Sequence, residues 1–308
     1  MKRINVAFVI LENELKNWNG GISYYKNILH YLIQEKWLSI IILTDSKKFI
    51  STKIIKKKKH LKINESYYFK KNNLLNLIRK IFIVLLKKDI ILYFILISLN
   101  IRILSHRRLF KNKKIKSIGW IPDLQHKVLK KYFPKKHFFI REKYVRDELN
   151  KTDKVFVSSN QIKNEFRKFY NLNNKIISLR VPSIYTAKKR VIKYKEKYIL
   201  FPSQFWVHKN HSYIIKTAEF LRKKNYYIKF ILCGAIIDHK SKNYFQKIIE
   251  EIKKRKVEKY FKILGEINNT QLRKLQKKSL AMVTPSLYAG RSTINEEAKV
   301  LGKFIFLS

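Results

Sequence analysis

Four groups of residues in this 308-residue chain have the types and spacing to do chemistry. Lys209 stands in HKNH, just after the apolar run ending FPSQFW and just before a helical one, with His208 and His211 on either side. The stretch PSLYAGRSTINEEAKVLG (285–302) leaves an apolar strand, turns through Gly290, Arg291, Ser292 and Thr293, and opens a helix carrying Glu296 and Glu297. Gly20 and Gly21 hold the corresponding place after the first strand, and IPDLQH sets Asp123 and His126 three apart. A glycine after a strand lets backbone approach a ligand, and the next helix N-terminus offers unpaired N–H groups and a positive dipole end to phosphate. Its recurrence in two halves of the chain points to a phosphate-facing cleft, with Lys209 as the cation. Tight-turn chemistry and a solvated lysine are the plainer alternatives. Asp123 and His126 could orient a hydroxyl and take its proton; the alternative is a helix-capping aspartate beside a surface histidine. Thr293-x-x-Glu296 fits a capping box, with Ile294, Ala298 and Leu301 as the buried stripe, which leaves Glu297 for a ligand. No G-x-G-x-x-G occurs, so there is no dinucleotide fingerprint.

These residues need an alternating scaffold, and the pattern supplies one. INVAFVI (4–10), LSIIILT (38–44), SIGWI (117–121), DKVFVSS (153–159) and IISL (176–179) read as strands, with helical spacing in GISYYKNILHYLIQE and NQIKNEFRKFY. Residues 181–197 read as a connector. After it come five strands (YILFPS, YYIKFILCG, YFKILG, LAMVTPS, FIFLS) and four helices. The expected fold is α/β, two tandem Rossmann-like, doubly wound domains, 1–185 and 186–308. Gly119 and Gly302 are expected at element boundaries.

The net charge of +48 attracts anions such as nucleotide phosphates, nucleic acid or an anionic membrane surface, yet lysine is spread along nearly every segment. Charge alone therefore names no partner. The single cysteine, Cys233, excludes an internal disulfide framework and fits a reducing compartment. The N-terminal apolar run Ile4 to Leu11 is short and lacks a cleavage site, so it reads as a buried strand rather than a signal peptide. DIILYFILISLNIRIL (89–104) is too short to span a bilayer, which takes about 20 apolar residues. It reads as a buried helix, with an amphipathic helix in the membrane interface as the sharper alternative.

Taken together, NGGISYYKNILHYL, GWIPDLQHKVLKKYF with RDELNKTDKVFVSSNQIKNEF, FPSQFWVHKNHSYIIKTAEFL and PSLYAGRSTINEEAKVLGKFIFLS resemble the GT-B glycosyltransferases of the family 4/group 1 type. The likeness is to a branch that makes bacterial surface polysaccharide, and the 70–110 region contributes least. The resemblance implies a nucleotide-diphosphate sugar donor held by the second domain and a saccharide or lipid-linked acceptor held by the first. It implies transfer with retention, no cofactor and no metal, in the cytoplasm, with an anionic membrane surface as a further candidate partner and no specific nucleic acid. Lys209 matches the lysine that steadies the diphosphate leaving group. Gln204 falls where many relatives carry arginine. Gly20 and Gly21 would face the diphosphate, and Glu297 would bind the ribose hydroxyls. Gly290, Ser292 and Thr293 complete the expected donor set; Lys209, Asp123 and His126 form the expected catalytic set. The family's first glutamate falls on Ala289, and losing such a contact removes roughly 1.5–3 kcal/mol where it is charge-assisted. The family continues beyond GKFIFLS, so the second domain is expected to be incomplete. A remnant that at most binds nucleotide sugar is therefore an alternative, and a nucleic-acid-binding protein ranks last.

Overall fold

The computed structural model describes residues 3–16, 18–56, 58–172, 174–184, 197–236, 241 and 243–307. Most of the expected connector at 181–197 lies outside the described residues. The chain forms two compact units: Met1–Leu124 with Phe139–Ile184, and Gln125–Phe138 with Tyr185–Ser308.

The first unit holds seven parallel strands: β1 (Ile4–Val9), β2 (Leu38–Thr44), β3 (Leu61–Glu65), β4 (Ile103–Ser105), β5 (Lys116–Ile121), β6 (Lys154–Val157) and β7 (Ile176–Ser178). Their order is β3-β2-β1-β4-β5-β6-β7, which reverses direction between β1 and β4. Its longer helices are α1 (Asn19–Leu32), α2 (Leu74–Leu86), α3 (Ile90–Ser98), α4 (Lys135–Lys151) and α5 (Asn160–Tyr170), the first turn of α4 counting with the second unit. Side chains alternate across a strand, so β1 sends Val6 and Phe8 to one layer and Ala7 and Val9 to the other. The first layer meets Ile22, Tyr25, Ile28 and Leu29 of α1. The second meets Leu92 and Leu96 of α3. Both faces are covered, which is why these strands read as continuous apolar runs.

The second unit holds β8 (Tyr198–Pro202), β9 (Lys229–Cys233), β10 (Phe261–Ile263), β11 (Ala281–Thr284) and β12 (Phe304–Leu307), all parallel, in the order β10-β9-β8-β11-β12. Its helices are α6 (His211–Lys223), α7 (Tyr244–Lys254), α8 (Asn269–Lys278) and α9 (Thr293–Val300). Phe201, Phe230, Leu232 and Val283 pack on α6 and α7; Leu200, Ile231 and Met282 pack beneath Ala298 of α9. Burial holds Cys233 as a thiol, its pKa pushed up to about 12.

Three expectations change. The first sheet has two strands more than the five read from the sequence, β3 and β4. Stretch 89–104 is not one helix: Ile90–Ser98 is helical, Asn100 turns with φ 52°, and Ile103–Ser105 joins the sheet beside β1. Gly119 lies inside β5 rather than at a boundary.

Candidate functional site

In an open parallel sheet, ligands bind outside the carboxyl ends of the strands where the strand order reverses. In the second unit that point lies between β8 and β11, and the segments carrying Gln204 with Lys209 and Gly290 with Ser292 follow those two strands. After β8 the chain passes Gln204, makes a single 3-10 turn at Val207–Lys209, and enters α6 through Asn210 in the left-handed conformation, φ 60°. Backbone hydrogen bonds knit this loop to its neighbours. Phe205 N donates to Ala235 O (2.9 Å) after β9, Gly234 N to Gly265 O (2.8 Å) after β10, and Leu287 N to His208 O (2.8 Å) after β11. Lys209 is thus a half-buried cation on a loop fastened to the ends of the neighbouring strands.

His211 explains why the loop is stiff. Its imidazole is fully buried, stacks on Phe205 (4.4 Å between centroids) and meets Phe201 at 4.7 Å. Burial, with the charge of Lys209 adding to it, pulls its pKa down to about 3, so the ring is neutral throughout the physiological range. His208 is also buried, with Nε2 3.4 Å from Gln125 Nε2. Both flank Lys209 as packing groups. No side chain caps α6 or α1 at its N-terminus.

The turn after β11 differs from the expected capping box. Ser292, not Thr293, is the cap of α9: its Oγ accepts from Asn295 N (3.3 Å), and Thr293 is the first helical residue. Glu296 instead pairs with Lys299 (3.4 Å) and with Arg291 (3.7 Å), whose side chain is largely buried. The box fails because Ser292 lies one residue nearer the turn and reaches the same N–H row first. Glu297 proves to have an internal partner. Its Oε2 accepts from Nε2 of the fully buried Gln276 at 2.7 Å, and burial raises its carboxyl above the ordinary value. Gly290, Ser292 and Thr293 thus lie on the turn after β11, which the Leu287–His208 bond ties to the loop carrying Gln204 and Lys209. Among the described residues, no three His, Cys, Asp or Glu side chains gather as a metal site.

Gly20 and Gly21 form the first turn of α1 in the other unit, at the carboxyl end of β1. A Cβ on Gly21 would lie 2.7 Å from Cδ2 of Trp18, so the missing side chain is what admits the indole. Trp18 stacks on Trp120 (5.4 Å), which stacks in turn on Tyr24 (4.2 Å). Beside them, where β1 and β4 diverge, is a cavity of about 380 Å³ lined by Trp18, Tyr25, His106, Arg107, Arg108 and Glu148 among others. Arg107 holds Glu14 through two contacts of 2.8 and 2.9 Å. Arg108 reaches Glu148 at 3.3 Å. His106, pulled down to about 3 by burial, bridges Ser105 Oγ (2.7 Å) and Tyr24 OH (2.8 Å). None of these cavity groups was selected from sequence. The pair Arg107-Arg108 at a strand end was a visible signal; Glu148, forty positions away, had none.

Glu148 sets a pH dependence. Burial raises its carboxyl to about 7 despite the opposing pull of Arg108 and Arg107. The folded state therefore keeps a proton that the unfolded chain releases near the usual 4.5. Stability falls as pH rises from that value through about 7, by about 3 kcal/mol in all. Glu148→Gln should remove this component: between about pH 5 and pH 8 the wild type should lose stability relative to the variant in denaturant titrations. Parallel pH profiles would refute the assignment.

Asp123 and His126 fall in different units. Asp123, just past β5, is ion-paired with Arg141. His126 is fully buried, 5.5 Å from the Phe138 ring and 6.4 Å from Phe133. It is not the surface histidine of the plainer alternative, and a proton-accepting role would require this packing to open.

Comparison with known proteins adds a profile match and a set of structural likenesses. Residues 185–308 match the profile of glycosyl transferases group 1. No curated protein matches the chain. Among solved structures, the chain is similar to a glycosyltransferase from Rickettsia africae ESF-5, with 14% identity, 100% of this chain and 79% of that one covered, and a TM-score of 0.61. It is similar to Anabaena Alr3699/HepE in complex with UDP and glucose (10% identity, 98% and 80% covered, TM-score 0.63). It is also similar to sucrose-phosphate synthase from Thermosynechococcus elongatus (11% identity, 99% and 81% covered, TM-score 0.65). Two parallel, doubly wound units in the GT-B fold are what these likenesses share with the chain, and it is residues 185–308 that match the group 1 glycosyl transferase model.

Proposed function

We propose that the chain transfers a sugar, with retention, from a nucleotide-diphosphate donor to a saccharide or lipid-linked acceptor in surface-polysaccharide synthesis. The observation that carries this is Lys209: a cation on a braced loop at the strand-order reversal of a group 1 domain. Negative charge grows on the diphosphate oxygen as the sugar leaves, and a fixed positive group there lowers the barrier. In this reading Lys209 meets the diphosphate. Gln204 and the turn at Gly290, Ser292 and Thr293 shape its pocket, Glu297 binds the ribose hydroxyls, and Asp123 and the first unit's cavity orient the acceptor. No metal takes part, so EDTA should leave the rate unchanged. The net charge and the single buried cysteine are compatible with a cytoplasmic site on the inner face of a membrane.

Calorimetric titration with UDP, GDP, ADP and their sugars tests the reading. At least one should bind saturably, and silence from all of them would remove its basis. Glu297→Gln should weaken that binding about tenfold, the size of one charge-assisted hydrogen bond, about 1.5 kcal/mol. A change below twofold would take Glu297 out of the site, leaving it only its bond to Gln276.

Ala289 favours a second reading, binding without turnover, because methyl forms no hydrogen bond to a transferred sugar. Saturable binding with neither transfer nor donor hydrolysis, and transfer appearing in Ala289→Glu, would establish it.

A further inference from the structure

Helix α2 is turned inside out. A surface helix normally buries its apolar stripe and shows water its polar face, but the buried side chains of α2 are Asn76 and Arg79. Asn76 Nδ2 donates to Lys70 O at 2.9 Å. Arg79 forks onto Asp89 and lies 4.8 Å over the Phe69 ring. At 100° per residue, the opposite side carries Leu74, Leu77, Ile81, Phe82, Val84 and Leu85, and all six are exposed, from 43% for Phe82 to 74% for Val84. Phe94 of α3 adds another ring, 63% exposed. An exposed apolar face of this extent marks a contact surface.

Charge says what covers it. From Ser66 to Lys88 the sequence holds six basic residues and no Asp or Glu. Asp89 answers Arg79, while Lys71, Lys80, Lys87 and Lys88 are exposed on α2 and the turns at its two ends. A second copy of the chain is a poor occupant, since it would bring the same lysines together under a net charge of +48 on each side. A surface that is apolar in depth and anionic at its edge fits both features. We propose that the outer face of α2 lies in the interface of an anionic lipid bilayer, its side chains among the upper acyl chains and its lysines on the headgroups. Thirteen residues make a helix about 20 Å long, short of the hydrocarbon thickness, so α2 lies in the plane rather than crossing. Among the described residues no helix is long and apolar enough to cross a membrane. The inner side of α2 also contributes Arg79 and Ile83 to the lining of the first unit's cavity, which places that cavity beside the docked face.

This inference goes beyond the transferase reading and does not depend on it, because vesicle binding and nucleotide binding are measured separately. A chain of charge +48 adsorbs to any anionic vesicle, so the test must detect insertion. The 308-residue chain carrying Leu85→Trp is mixed with phosphatidylcholine vesicles with and without phosphatidylglycerol, at physiological salt. With phosphatidylglycerol present, its emission, corrected for the wild type, should shift blue and be quenched by lipids brominated on the acyl chains. Leu77→Glu with Val84→Glu should lower vesicle affinity at least tenfold with an unchanged melting temperature, since both positions are exposed. Sedimentation without quenching, equal affinity of the double variant, or a dimer in solution that the double variant dissolves would each overturn the proposal.

Discussion

Lys209→Ala should slow sugar transfer by a factor of about 100 to 1,000, the usual loss when one fixed donor to a developing oxyanion is removed. It should also weaken nucleoside-diphosphate binding while leaving the melting temperature unchanged. The chain carries 69 lysines and arginines, so the argument has to single this one out. It rests on position: the loop after β8 is bonded to the ends of β9 and β11, and no other lysine stands on the 3-10 turn leading into α6. Lys216, exposed further along the same helix, is the control, and Lys216→Ala should leave both rate and binding intact. Salt separates the two kinds of charge. General attraction by +48 fades as the screening length falls below about 10 Å above 0.1 M, whereas direct contact at Lys209 persists. Equal losses in the two variants, or a Lys209→Ala enzyme of normal rate, would end the assignment.

Much of this arrangement was legible because a buried parallel strand writes itself as an unbroken β-branched run. β1, β2, β8, β9 and β11 could be read that way, and with them the loops that follow, including Lys209. β3 could not: LKINE is an edge strand of mixed polarity behind a lysine cluster. β4 is three residues long and directly follows a helix of the same composition, so no change of period marks its start. The cap of α9 was misplaced by one residue because Ser292 and Thr293 are chemically alike and only backbone angles choose between them. The cavity residues and the inverted helix were hidden for one shared reason. Which face of a helix is inward depends on partners outside that helix, such as Arg108 for Glu148 and Asp89 for Arg79. Periodicity shows that α2 has an apolar side; it does not show that Asn76 and Arg79 already occupy the inside. Glu297 teaches the same lesson at the site, since Gln276 approaches it from another helix.

Gly234→Ala should destabilise the second unit by about 3 kcal/mol and abolish nucleotide binding with it, which distinguishes it from the chemical lesion at Lys209. Gly234 follows β9 with φ 153°, and a Cβ there would lie 2.5 Å from the carbonyl carbon of Ser203 and 2.7 Å from the nitrogen of Gln204. Those atoms are backbone and cannot turn aside as a side-chain tip would. To admit the methyl, either the loop after β8 or the turn after β9 must move. The hydrogen bonds from Phe205 N to Ala235 O and from Gly234 N to Gly265 O hold both in place. One unfavourable dihedral and two disturbed backbone bonds, at roughly 1 kcal/mol each, give the stated loss. Gly302 supplies the comparison: its φ is 63°, yet nothing lies within 4 Å of a Cβ built there. Gly302→Ala should therefore show only the backbone penalty, about 1 kcal/mol, with binding unaffected. If the two alanine variants melt alike and both still bind nucleotide, the packing of β9 against the Gln204 loop does not set the position of Lys209. The donor site would then have to be sought on another edge of the sheet.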